Sequence, residues 1–184
     1  MAGVKLRLII LSILLASLFV VPTVFAQSNE VLTDQTAERC ALTQSYLKTI
    51  QKPRDLKARV DRLQAYIYIS SHLDAFTTRL ERNNQPGATE LRDTLKSLNS
   101  AIDQFRTSYE QYDKAREEVV NVKDCYTNVA QFQTKLNAAR LKRQDVNTSV
   151  NAIQSLLVPT TRDQLTSVYD QLLASSKTSG GSND

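Results

Sequence analysis

Residues that carry chemistry are scarce in this chain. Its 184 positions hold one histidine, His72, two cysteines, Cys40 and Cys125, and no tryptophan; glycine and proline number four each. One histidine and two cysteines without zinc-like spacing cannot assemble a Cys/His zinc centre. No DxDxDG loop exists to cradle calcium, and no glycine-rich loop exists to cradle a phosphate. A Ser–His–Asp arrangement would depend on His72 alone, inside Ile69-Ser70-Ser71-His72-Leu73-Asp74, with no glycine-rich turn to present a nucleophile. A triad is identified by geometry rather than composition, so His72 reads as an ordinary surface or boundary residue. Glu117 and Glu118 are adjacent and point to different sides of a helix, as solvated carboxylates do. These absences argue against an enzyme, a metal site or a cofactor.

Compartment is better marked. Lys5 and Arg7 form a short basic region ahead of an apolar run from Leu8 to Val21, which Pro22 breaks. Val24-Phe25-Ala26 then offers a signal-peptidase site, predicting cleavage after Ala26 and an exported mature chain. The alternative is an uncleaved N-terminal membrane anchor, disfavoured because the apolar run is shorter than the ~20 residues of a spanning helix. Removing Lys5 and Arg7 lowers the formal charge from +4 to +2 over the remaining 158 residues. A nucleic-acid footprint needs a concentrated basic surface, and bulk charge does not supply one. Local basic clusters remain at Lys48, Lys52, Arg54, Lys57, Arg59 and Arg62, diluted by Asp55 and Asp61, and at Lys135, Arg140, Lys142 and Arg143. They read first as solvated helix faces and second as contacts for an anionic envelope polymer or a protein partner.

In an exported chain two cysteines allow one bridge. Closing so long a loop stabilises the fold by roughly 4–5 kcal/mol in the chain-entropy model. There is no CxxC spacing and no neighbouring histidine to activate a thiol, so a structural Cys40–Cys125 disulfide is the expectation.

The scarcity of glycine and proline leaves long uninterrupted helical periods. Leu91, Leu95, Leu98, Ile102, Phe105, Tyr109 and Tyr112, extended by Arg116 and Val119, recur in alternating steps of four and three, the seam of a helix packed lengthwise. Thr89 as N-cap and Glu90 in the first turn place that helix at about 89–123. A second seam runs through Val129, Phe132, Leu136, Ala139, Arg143, Val146, Val150, Ile153 and Leu157. Asn128 and Gln131 would form its capping box, and Pro159 would end it. A third comprises Leu56, Val60, Leu63 and Ile67, then Leu73, Phe76 and Leu80 on a rotated face, ending at the Asn83–Gly87 turn.

Shorter pieces flank these three. Residues 33–51 read as helix, with Ala37, Cys40, Ala41, Leu47 and Ile50 available for burial, and Pro53 either kinks it or opens a new one. Thr161 and Gln164 suggest a capping box for a short helix to Leu173. The expected organisation is a signal peptide (1–26), a short flexible N-terminus (27–32), a helical bundle domain (33–173) and a disordered tail (174–184). The fold class is all-α, an elongated, coiled-coil-like, antiparallel three-helix bundle with short flanking helices.

An early Cys40, a glycine-containing turn followed by Thr89-x-Leu91, then Phe105, Ser108-Tyr109 and Tyr112 form a joint pattern. Asp124-Cys125, Phe132, Leu136, Ala139-Arg140 and Arg143 complete it. Over about residues 38–158 the chain resembles a family of small exported all-helical proteins from largely uncultured bacteria. Relatives in that family often carry an acidic residue where this chain has Ala88. The resemblance implies a bundle and an envelope location, and no activity.

Two arginines stand at positions that the apolar period assigns to the interior, Arg116 and Arg143. They pair with carboxylates, snorkel, or fix register. A ligand-binding reading makes Arg143 an anion anchor beside Tyr109 and Tyr112, with Arg116 as a fourth member. The functional expectation is a noncatalytic structural or interaction role in the cell envelope. Its alternatives are a periplasmic chaperone or adaptor, and a bundle that binds a small anionic ligand. The expected partner is a protein or envelope polymer, with self-association allowed, no nucleic acid, and membrane contact only through an uncleaved signal segment.

Overall fold

A computed structural model describes the backbone of residues 25–179 and the side chains of residues 35–175. The basic and apolar parts of the expected signal segment, and the last five residues of the tail, lie outside the described residues. Five α-helices follow in order: α1 (Phe25–Tyr46), α2 (Lys52–Arg82), α3 (Ala88–Val120), α4 (Val129–Ser155) and α5 (Arg162–Ser179). Among the described residues there is no strand. The flanking helices are longer than expected: α1 has 22 residues and α5 has 18. The backbone is helical through 27–32, expected to be flexible, and from 174 to 179, expected to be disordered. Between Pro22 and Pro53 no proline or glycine interrupts the chain, and after Pro159 none occurs before Gly180.

Pro159 does not end a helix. Around it the chain widens into a π-helical segment, Leu156–Thr161, and continues directly into α5. Proline lacks an N–H and its ring crowds the preceding turn, and a local π-widening relieves both. Thr160 Oγ1 donates to Ser155 O at 3.2 Å, and Thr161 Oγ1 to Leu156 O at 2.8 Å, serving carbonyls in the widened turn. A similar segment, Leu47–Gln51, precedes Pro53 and joins α1 to α2. Thr161 is therefore internal rather than a cap. Thr89 and Asn128 also make no side-chain cap; Gly87 occupies the N-cap of α3 with a left-handed backbone.

Helix α3 is the axis of the fold. Its expected seam, Leu91 to Val119, is buried at every position. Burying each large apolar side chain contributes about 1.5–3 kcal/mol, so this stripe dominates the packing. Helices α2 and α3 meet at Asp55–Tyr112, Ser70–Asn99 and Glu81–Arg92. Numbers rise along one helix as they fall along the other, so the two run in opposite senses. Lys135–Glu118, Lys142–Gln111 and Ser149–Ser108 show the same for α4 against α3.

Both ends of α3 are closed by flanking elements. At its C-terminus, Gln44 Nε2 donates to Val119 O at 3.0 Å and Val122 O at 2.8 Å. The disulfide Cys40–Cys125 ties α1 to the following turn, with Cα atoms 5.7 Å apart. Asp124 shapes that turn from a left-handed backbone (φ 50°), accepting from Tyr126 N and Thr127 Oγ1. These bonds, Thr127's first, hold its carboxyl below the usual range. At the opposite end Val168 of α5 packs on Gly87.

The third seam departs from the expectation. Leu73 and Leu80 are buried, but Leu56, Val60 and Ile67 are 52%, 43% and 45% exposed, with Leu63 half-buried. The buried face of α2 is Tyr66, Ser70, Leu73, Thr77 and Leu80, about a quarter-turn around the helix at 3.6 residues per turn. Ala41 and Ile50, expected inside, are exposed as well, while Ala37, Cys40 and Leu47 are buried. Helices α2 and α4 each pack on α3 but not closely on one another, leaving a groove between them.

Candidate functional site: an arginine-lined cleft

The groove between α2 and α4 deepens into a cleft of about 250 Å³. One wall is α2, whose Arg54, Ala58 and Arg62 follow at helical spacing with Asp55 and Arg59 beside them. The other wall is α4, with Arg143, Val146 and Asn147, and Phe105, Tyr109 and Tyr112 of α3 form the floor.

Beneath the cleft a buried polar network has nearly all its members paired. Tyr112 OH donates to Asp55 Oδ2 at 2.8 Å and accepts from Gln51 Nε2 at 2.8 Å. Arg116, only 2% exposed, faces Asp55 at 3.6 Å and also pairs with Asp113. Its guanidinium lies 5.6 Å from the centroid of the Tyr112 ring. Burial and then the bond to Asp55 push the Tyr112 hydroxyl up to about 12. Burial raises Tyr109 further, and its hydroxyl is shielded from solvent without a hydrogen-bond partner. Edge-to-face contacts link Tyr66, Phe105, Tyr109 and Tyr112 in series. Arg59 lies 5.1 Å from the centroid of the Tyr109 ring.

Three residues singled out in sequence, Tyr109, Tyr112 and Arg143, line this one cleft. Arg143 is exposed, a correction to the interior place that the period gives it: the open groove removes the helix it would have packed against. Arg116 is interior, as the period places it, but it sits with Asp55 and Asp113 and does not line the cleft. Sequence reasoning missed Arg54, Arg59 and Arg62 as members of the site and treated them as a solvated face. Their common flank of α2 was the available signal. Nothing in the sequence assigned Gln51 its buried contact.

Other candidates fall elsewhere. His72 is exposed beside Tyr68, ring centroids 4.2 Å apart. Among the described residues no group of three His, Cys, Asp or Glu side chains is placed to hold a metal ion. No described helix is long and apolar enough to cross a membrane. No family model matches the chain, and no curated protein or solved structure is significantly similar to it.

Proposed function

We propose that this chain is an exported, noncatalytic binding protein of the cell envelope: an antiparallel three-helix bundle, closed at one end by a disulfide, that docks a protein partner on one face. The observation that carries this reading is the exposed stripe Leu56, Val60 and Ile67 on α2. These residues keep the 3.5-residue period of a packing seam, yet no element among the described residues buries them. A periodic apolar stripe aligned with the bundle axis is suited to a helix or extended segment of another protein. The disulfide supports export, because such bonds persist in oxidising compartments. Rigid attachment of α1 to the turn after α3 fixes the bundle end beside that face.

The test is site-specific photocrosslinking in intact cells, with the reactive residue at Val60 or, as control, at the exposed Gln133 of α4. Adducts at Val60 and none at Gln133 support the docking face, and mass spectrometry then distinguishes a second copy of the chain from a different protein. Uncrosslinked monomer at both positions would refute it. The same sample reads the mature N-terminus and the state of the cysteines.

A further inference from the structure

The cleft between α2 and α4 carries more positive charge than its own carboxylates neutralise. Asp55, its one lining carboxylate, already faces Arg116 and accepts from Tyr112. Arg59 pairs with Glu110 at 3.2 Å, but Glu110 is 67% exposed, and such a surface pair holds an arginine weakly. Arg54, Arg62 and Arg143 make no ion pair within the described residues. Three arginines without an ion pair and a weakly held fourth therefore line one concavity from opposite walls. In its floor lies Tyr109, 6% exposed, whose hydroxyl has no partner. Leaving a buried hydroxyl unsatisfied is costly, and the guanidinium over its ring belongs to Arg59, whose ion pair, to the exposed Glu110, is a weak one.

We infer that the cleft is a binding site for a compact phosphate-bearing anion. Arg143 and Arg59 grip the phosphate from the two walls, Arg54 and Arg62 flank it, and movement of Arg59 off the ring lets the Tyr109 hydroxyl donate to a phosphate oxygen. A phosphate group brings up to two charges and several acceptor oxygens, matching paired arginine forks better than a carboxylate does. The volume, about 250 Å³, lies below the ~300–1,000 Å³ of drug-sized pockets, so it fits one head group and little else. That group can belong to a free phosphate ester or to the head group of an anionic lipid. The site lies on the opposite flank of α2 from the Leu56 stripe and does not depend on it.

The experiment uses the mature, oxidised chain. Thermal unfolding is followed with pyrophosphate and with glycerol 2-phosphate, against acetate and chloride at matched ionic strength. Cosedimentation with phosphatidylglycerol vesicles, against phosphatidylcholine, tests the lipid source. The expected result is a concentration-dependent rise in melting temperature with the phosphate compounds only, or vesicle binding if the head group is the source. Arg143→Ala should leave the melting temperature of the free protein unchanged, because the side chain is exposed, and weaken binding at least tenfold. Tyr109→Phe removes a hydroxyl that has no partner, so the free protein should be no less stable while binding falls roughly tenfold or more. No response beyond chloride in either assay would overturn the site. So would binding that is equal in wild type, Arg143→Ala and Tyr109→Phe.

Discussion

Arg116, the largest fully buried side chain among the described residues, faces Asp55 of α2 at 3.6 Å from near the C-terminal end of α3. Removing one member of a buried pair strands the other charge, at about 3–5 kcal/mol. Asp55→Ala should lie near the lower end, because Asp113 still faces the guanidinium. The double variant Asp55→Leu with Arg116→Met should recover most of that loss, since an apolar replacement of both partners relieves the desolvation. Urea unfolding of wild type, Asp55→Leu, Arg116→Met and the double variant measures the cycle. Additive losses would mean that the two residues are not coupled.

The disulfide makes a separate demand. Cys40 is fully buried, Cys125 is 8% exposed, and the bond closes a loop spanning 85 positions. Reduction, or replacement of both cysteines by alanine, should lower stability by about 4–5 kcal/mol in the chain-entropy model. The urea midpoint with and without reductant reads it directly; an unchanged midpoint would show that the bond constrains little of the unfolded chain.

Legibility in the sequence followed how completely each helix is surrounded. The stripe of α3 was readable residue by residue, because α3 is covered on two sides and its apolar period runs unbroken from Leu91 to Tyr112. The period of α2 was readable too, yet it named the wrong face for the first half of the helix. Apolar spacing reports that Leu56, Val60 and Ile67 share a flank, and says nothing of whether this chain or another covers it. Arg143 failed for the same reason: its register is right, and its partner helix is absent. The cleft arginines were hidden because a charged face pointing at a groove has the same spacing as one pointing at water. Pro159 misled because a π-widened turn absorbs a proline that would otherwise stop a helix.

Leucines on the two kinds of stripe should separate cleanly. Leu98 is fully buried and Leu56 is 52% exposed. Leu98→Ala should cost about 2–5 kcal/mol, and Leu56→Ala should stay within about 0.5 kcal/mol in the isolated protein, as exposed substitutions do. Chemical unfolding of the two variants is sufficient. A large loss at Leu56 would place that stripe inside the core after all.

Gly87 tests the other end of α3. Its φ is +79°, and a Cβ added there would lie 2.4 Å from Val168 Cγ2. Gly87→Ala therefore meets two penalties: a left-handed backbone, about 1–2 kcal/mol for a residue with a side chain, and a clash that pushes α5 away. Adding Val168→Ala should remove the second and leave the first. If the double variant is less stable than Gly87→Ala alone, loss of Val168 packing outweighs the relief of the clash, and α5 is held mainly by that side chain.

Alkaline pH reads the buried tyrosines. Tyr112 titrates near 12 when folded, against an ordinary value of 10.0, chiefly because burial opposes the phenolate. Burial raises Tyr109 as well. Above about pH 10 the unfolded chain releases these protons while the folded protein keeps them, so stability is complete below that pH and falls through the window up to about 12. The slope should approach about 1.4 kcal/mol per pH unit for each fully shifted group. Tyr109→Phe removes one titrating hydroxyl that has no partner, so the variant should show a shallower decline than wild type between pH 10 and 12 in urea midpoints. Parallel declines would mean that the Tyr109 hydroxyl reaches water in solution, and that the floor of the cleft is looser than its packing implies.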